Sequence, residues 1–358
     1  MKVLFITRKY PPRVGGMEQF SYELYRNLPA EKRLVASSQG SRLAIIWLAP
    51  WLLLRGLLNV PGCDLIFMAD GVLAPVGWLL KLITRRPVFL VIHGLELTYS
   101  MPQFSRFMSY FYQRMDRVIT VSDFTKEMAV KAGMNPVRIT VIPNGVNAPA
   151  TQTEYARKDL ETIIGQDVTN KIVLLTVGRL VKRKGVADFV QNVFSQLPSN
   201  FIYIVAGEGP EKARIAQAAL SRNLANRVIL LGKVPDDIRE ALFQTANLFI
   251  MPNISVTGDM EGFGIVAIEA AVRGLPVIAT KVEGIPSAIV DGENGFLVAP
   301  GDNNQYVRKI VEVAGRSDIQ YVSSGVAAYT KKYYNWKHIG HQYLEEFKQY
   351  FEHAAHHS

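Results

Sequence analysis

Two carboxylates eight positions apart, Glu261 and Glu269, enclose the run Glu261-Gly262-Phe263-Gly264-Ile265-Val266-Ala267-Ile268-Glu269. Its glycines break an apolar pattern of helical period, so a loop turns into a helix there, expected over Phe263 to Arg273. The first N–H groups of a helix lack intrahelical acceptors, and those of Ile265 and Val266 would face an anion such as a diphosphate. Glu269 would lie about a turn and a half further in, at roughly 1.5 Å per residue. Carboxylates accept hydrogen bonds from vicinal hydroxyls, which suits a sugar and a ribose. Taken alone, the run also reads as an ordinary helix start with one glutamate in the cap and one on the surface.

A second cluster is cationic: Gly178-Arg179-Leu180-Val181-Lys182-Arg183-Lys184-Gly185. It follows the apolar run Ile172 to Val177, so an arginine fork and a lysine point charge stand at a strand end, where an oligophosphate could be held and a diphosphate leaving group stabilised. Arg179 and Lys184 are the residues of interest, and Lys182 and Arg183 read as a solvated turn. His93 ends another strand, where it faces a ligand or fills a core.

The elements that must position these groups alternate along the chain. In the first half the expected strands are Val3 to Thr7, Leu34 to Ala36, Leu65 to Met68, Val88 to Ile92, Arg117 to Val121 and Ile139 to Ile142. Helices are expected between them, including Ile45 to Leu58, Val72 to Leu82 and Phe104 to Arg114. Strands separated by helices imply a parallel sheet covered on both faces. The pattern stops at Pro143-Asn144-Gly145 and the polar stretch Ala148 to Asn170, taken as a linker. It resumes with strands Ile172 to Val177, Phe201 to Ala206, Val228 to Leu231, Leu248 to Met251, Val277 to Ala279 and Gly295 to Val298, and an aromatic helix, Trp336 to Phe351, closes the chain. The fold class is α/β: two Rossmann-like doubly wound domains across a cleft, 1–148 and 149–334, with the segment 335–358 returning to the first. Ligands of such sheets sit outside the carboxyl ends of the strands.

Composition narrows the classes. The chain has 358 residues and one cysteine, Cys63, which excludes an intrachain disulfide and a cysteine-based zinc cluster and points to a reducing compartment. Residues 1–150 hold 18 Lys and Arg against 9 Asp and Glu, while residues 151–358 hold 22 of each, so the whole net charge of +9 belongs to the first half. That half should meet an acidic partner. Its longest apolar stretch, Leu43 to Leu58, is interrupted by Pro50 and Arg55 and is shorter than the roughly 20 residues of a spanning helix. The N-terminus reads as a strand, not a signal peptide. Gly207-x-Gly209 lacks the third glycine of a dinucleotide fingerprint, and neither a Gly-x-Ser-x-Gly elbow nor a P-loop is present.

The order Gly-Arg-Leu-x3-Lys-Gly then Glu-x7-Glu resembles the retaining family-four glycosyltransferases of the GT-B fold, the glycosyl transferases group 1. Further segments share the resemblance: Tyr10-Pro11-Pro12 with Gly15-Gly16, His93-Gly94, Val121-Ser122, Ile142-Pro143-Asn144-Gly145-Val146, Gly207-Glu208-Gly209-Pro210 and Gly274-Leu275-Pro276-Val277-Ile278-Ala279-Thr280. Pro11-Pro12-Arg13-Val14-Gly15-Gly16 with Asp259-Met260-Glu261-Gly262 leans toward relatives of the phosphatidylinositol mannosyltransferases.

The resemblance implies transfer of a sugar, with retention, from a nucleotide diphosphate-sugar such as GDP-mannose or a UDP-sugar to a hydroxyl of a lipid-linked or glycan acceptor. Arg179 and Lys184 would hold the diphosphate, Glu261 the sugar hydroxyls, Glu269 the ribose, and the backbone of Gly262, Phe263, Gly264, Ile265 and Val266 the phosphates. Gly15 and Gly16 would let the first loop approach the phosphates, His93 would face the reacting sugar, and the base would lie near Gly232, Lys233 and Val234. No metal and no cofactor are expected, despite Asp259-x-Glu261 and Asp236-Asp237, and His353, His356 and His357 read as a frayed tail. The second domain binds the donor and the first the acceptor, with closure across the linker excluding water. Trp47, Trp51 and Arg55, with Trp78, Lys81, Arg85 and Arg86, suggest that the first domain docks on an anionic membrane surface on its cytoplasmic side; no nucleic-acid module is visible. Alternatives are a nucleotide-sugar epimerase or phosphorylase, or a non-catalytic peripheral membrane protein.

Overall fold

A computed structural model describes residues 1–13, 15–37, 45–98, 102–149 and 153–356. The chain divides into two compact units, Met1–Gly145 with Trp336–Ser358, and Val146–Asn335. The divisions expected from sequence lie at 148/149 and 334/335.

The first unit is built on strands β1 (Lys2–Thr7), β2 (Glu31–Ala36), β3 (Leu65–Met68), β4 (Val88–Ile92), β5 (Arg117–Thr120) and β6 (Ile139–Val141), all parallel in the order β2-β1-β3-β4-β5-β6. β3 and β4 are buried at every position, which is why they read as unbroken apolar runs. β2 lies at the edge and is half exposed, so charged residues extend it back to Glu31, beyond the apolar Leu34 to Ala36 that marked it. Trp336–His356 is one helix whose aromatic face belongs to this unit: Trp336 meets Phe20, Tyr343 meets Phe67 and Phe347 meets Phe89, with ring centroids 4.9–5.8 Å apart. The tail is therefore helical through His356 instead of frayed, and His357 lies outside the described residues.

The second unit repeats the plan with β7 (Ile172–Val177), β8 (Phe201–Ala206), β9 (Val228–Gly232), β10 (Leu248–Met251), β11 (Val277–Thr280) and β12 (Phe296–Val298), in the order β12-β11-β10-β7-β8-β9. Strand order reverses between β7 and β10 here, and between β1 and β3 in the first unit. Loops leaving those strands diverge to opposite faces and leave a crevice at the carboxyl edge. Besides the one-turn helix Ile285–Ala288, two longer helices among the described residues were not foreseen. Arg157–Ile164 occupies the expected linker, held by Arg157, whose guanidinium donates to the carbonyls of Thr245 at 3.0 Å and Lys171 at 2.5 Å. Ala150 to Gln152 of that linker lie outside the described residues. Ile319–Tyr333 is mostly solvent-facing, with Val326 and Thr330 its buried residues, so it carries little apolar signal.

Candidate active site

At the switch point of the second unit, the turn after β7 meets the loop after β10. Gly185, at φ 64°, ends that turn, and a Cβ there would stand 2.0 Å from the carbonyl oxygen of Pro252, so only glycine lets the two backbones touch. The Arg183 carbonyl accepts from the Ile254 N–H at 2.9 Å. Across this junction Glu261 Oε2 accepts from Lys184 Nζ, from an Arg183 Nη1 and from Asn253 Nδ2 at 3.0 Å. Arg183 also donates from Nε to Asp259 Oδ1 at 3.0 Å, and the Glu261 N–H donates to Glu283. Burial pushes the Glu261 carboxyl up, but the adjacent Lys184 and Arg183 outweigh it and hold the group below its ordinary value. Burial lowers Lys184 against the pull of Glu261.

The helix expected over Phe263 to Arg273 is shorter, Ile265–Ala271. Gly264, at φ 92°, makes the turn into it, and the N–H groups of Ile265 and Val266 meet no acceptor among the described residues. The Phe263 side chain is buried beside Tyr334, so it can offer a ligand only its backbone. Glu269 is 4.0 Å from Arg239, and burial raises its carboxyl above the ordinary value. The Arg179 side chain is exposed and has no hydrogen-bonding or ionic partner among the described residues. The loops after β7, β8 and β9 prolong the sheet beyond its strands: Gly178 N–H bonds to Ala206, Leu180 N–H to Glu208 and Gly207 N–H to Gly232, at 2.7–3.0 Å. Gly232 is buried at the end of this ladder, with Lys233 exposed and Val234 half-buried beyond it.

The first unit has its own cluster at its switch point. Arg8, just after β1, forms a 2.5 Å ion pair with the fully buried Asp70, just after β3. His93 Nε2 lies 3.2 Å from the Ala69 carbonyl. A carbonyl only accepts, so this contact suits a ring protonated at Nε2, and in the neutral tautomer that leaves Nδ1 as acceptor. Glu96 Oε1 accepts from the His93 N–H at 3.3 Å, whereas Oε2 is buried without a hydrogen-bond partner among the described residues. Burial is the main cause that raises Glu96. Gly16 has open space where a Cβ would stand, but Gly15 lies against Glu18, itself paired with Lys9 at 3.0 Å.

Residues 161–316 match the family described as Glycosyl transferases group 1, and residues 2–148 match Glycosyltransferase Family 4. The two matches lie one in each half of the chain, and both families are described as glycosyltransferases. It is 31% identical over 200 residues to a subunit of the phosphatidylinositol N-acetylglucosaminyltransferase of Arabidopsis thaliana, covering 55% of this chain and 41% of that one. The GPI3 subunit of the same-named enzyme of Saccharomyces cerevisiae is 31% identical over 190 residues, covering 52% and 40%. The chain thus spans about two-fifths of the length of these relatives. The crystal structure of Anabaena Alr3699/HepE in complex with UDP-glucose superimposes with a TM-score of 0.76 over 98% of this chain and 100% of that one, at 22% identity, which establishes the GT-B fold.

The structure joins Lys184 and Glu261 directly; Arg179 lies in the same turn after β7, and Ile265, Val266 and Glu269 lie on the short helix that follows the Glu261 loop. It corrects the reading of Arg183, whose side chain is 13% exposed and bound to two carboxylates, not solvated. Asn253, Asp259 and Glu283 were not singled out as site residues. Asn253, directly after Pro252 at the end of β10, had a signal in its position; Glu283 had none. Lys81 and Trp78, expected at a membrane surface, are engaged elsewhere: Lys81 binds Asp116 at 2.8 Å, and Trp78 packs on Phe111.

Proposed function

We propose that this protein transfers a sugar, with retention and without a metal ion, from a nucleotide diphosphate-sugar to a hydroxyl of a lipid-linked acceptor. The observation that carries the reading is the edge of β7 and β10. The turn after β7 carries the Arg179 side chain, without a partner among the described residues, and Lys184, which is bonded to Glu261; the Glu261 loop in turn leads into the unbonded amides of Ile265 and Val266. Arg179, Lys184 and the amides of Ile265 and Val266 supply the positive charge that a departing diphosphate needs. Glu261 and Glu269 supply acceptors for the hydroxyls of sugar and ribose. In the first unit His93 Nδ1 is left to accept from an acceptor hydroxyl. A UDP-sugar is the preferred donor and GDP-mannose the second. The UDP-glucose named for the structural neighbour supports the first, and the sequence lean supports the second.

The lipid acceptor is supported by the phosphatidylinositol in the names of the relatives and by the first unit's surface. No helix among the described residues is long and apolar enough to cross a membrane. Two helices nevertheless turn apolar side chains outward. Trp47 is 82% exposed and Leu58 65% on Ile45–Asn59, and Ile83 is 59% exposed on Ala74–Thr84. Leu52 and Leu80 on the opposite faces are fully buried, so the helices both cover the sheet and present an apolar outer side. Arg55, Arg85 and Arg86 are exposed beside it. Such a surface suits the cytoplasmic, anionic leaflet of a membrane.

The test is a thermal-shift panel of UDP, GDP and ADP with their sugars, followed by product analysis with a phosphatidylinositol acceptor. One nucleotide should stabilise the protein, because a ligand of the native state raises apparent stability. Arg179→Ala and Glu269→Ala should weaken that response. Sugar transfer only when acceptor is present separates this reading from an epimerase, and loss of all nucleotide response would leave a non-catalytic membrane protein.

A further inference from the structure

Among the basic residues of the turn after β7, Arg183 is the one whose guanidinium the fold uses twice. It donates from Nε to Asp259 Oδ1 at 3.0 Å and from Nη1 to Glu261 Oε2. Its own carbonyl is bonded to Ile254, just past β10. One residue thereby ties the basic turn to the β10 end through its backbone and to the Asp259–Glu261 loop through its fork. A planar fork with fixed N–H directions holds the carboxylates in a set orientation, which a single ammonium cannot do.

The distribution of bonds on Glu261 gives that orientation a consequence. Arg183, Lys184 and Asn253 all donate to Oε2, while Oε1 receives no hydrogen bond among the described residues. An ionised carboxylate has acceptor sites on both oxygens. Three donors on one oxygen leave the other for a ligand. Arg183 already gives Nε and Nη1 to carboxylates, whereas the Arg179 side chain is exposed and has no partner among the described residues.

We propose that Arg183 is a positioning residue for glycosyl transfer: by gripping Asp259 and Glu261 it presents Glu261 Oε1 to the hydroxyls of the donor sugar, and it does not hold the diphosphate. This rests on the donor site described above. The experiment compares binding of UDP and of UDP-glucose, or of GDP and GDP-mannose if the panel selects that base, by calorimetry on the full-length protein. Wild type, R183M, R183K and D259N are measured side by side. R183M should weaken nucleotide-sugar binding about tenfold, the loss of one charge-assisted anchor. Its binding of the nucleoside diphosphate should stay within about twofold of wild type. R183K should recover part of the sugar-dependent affinity, because one ammonium can serve one carboxylate but not fork between two. D259N keeps Arg183 and frees its Nε, so it should show a smaller loss in the same direction; it carries the comparison if R183M does not fold.

Equal losses for diphosphate and nucleotide-sugar would overturn the proposal and make Arg183 a phosphate ligand. Unchanged affinities in the folded variants, with only a lower melting temperature, would overturn it in favour of a purely architectural bond. Wild-type protein that binds no nucleotide or nucleotide-sugar would overturn the donor-site reading itself, and that result is read before any variant.

Discussion

Replacing Lys184 by methionine isolates the central ion pair of the second unit. Both partners are 12% exposed at their side chains, so the bond is a charge-assisted one in a largely dry setting. Such a bond contributes about 1.5–3 kcal/mol. Two facts lower the net cost. Glu261 keeps Arg183 and Asn253, so it is not stranded and the roughly 3–5 kcal/mol of a broken buried pair does not apply. Methionine also removes an ammonium that burial already disfavours. The expected loss at neutral pH is about 1–2 kcal/mol, or a melting temperature lower by about 2–8 °C for a unit of this size.

The pH dependence of the difference has a definite sign. The Glu261 carboxyl is held below its ordinary value of 4.5, so its contribution is fully present above that value and is lost as pH falls through the depressed one. Burial lowers Lys184, whose proton is lost only as pH rises, so acidification keeps it charged and the acid side of the difference belongs to Glu261. Thermal unfolding of wild type and Lys184→Met in parallel, without ligand, from neutral pH to about pH 3, should show a gap that closes toward acid. A gap of constant size, or a variant more stable than wild type at neutral pH, would refute the reasoning.

Arg179→Ala should leave the melting temperature of the unliganded protein unchanged, because the side chain has no partner to lose, yet weaken nucleoside diphosphate binding about tenfold or more by calorimetry. Arg273→Met should be severe. Arg273 donates to both oxygens of Glu240 at 2.6–3.0 Å, with side chains 12% and 9% exposed; Glu240 keeps the Gln244 amide at 3.0 Å, so the loss in urea unfolding should stand at the lower end of the roughly 3–5 kcal/mol of a broken buried pair. The triple change Trp47→Ser, Leu54→Ser and Leu58→Ser should abolish sedimentation with anionic vesicles while leaving circular dichroism unchanged, since all three side chains are exposed; retained vesicle binding would remove this face as the docking surface.

Each of the twelve strands among the described residues was marked in the sequence: the inner ones because a strand covered by helices on both sides must be apolar throughout, and the half-exposed edge strand β2 only by Leu34 to Ala36. The candidate ligand groups were named for a related reason: glycines and charges just after an apolar run stand at a carboxyl edge in any doubly wound sheet. Hence Arg179, Lys184, Glu261 and Glu269 could be named without the structure. The polar helices Arg157–Ile164 and Ile319–Tyr333 were not readable, since each buries too narrow a stripe to leave a strong period.

Tertiary structure alone decided which charges are solvated. Arg183, Lys182 and Lys81 are equivalent on a sequence, but Arg183 is paired with carboxylates 76 and 78 positions away and Lys81 with one 35 positions away, while Lys182 is exposed. A charge leaves water only where opposite charge and hydrogen bonds await it. Those partners are supplied by strand order, which brings β7 beside β10. No local period encodes that order; it follows from how the helices and strands close over their shared core.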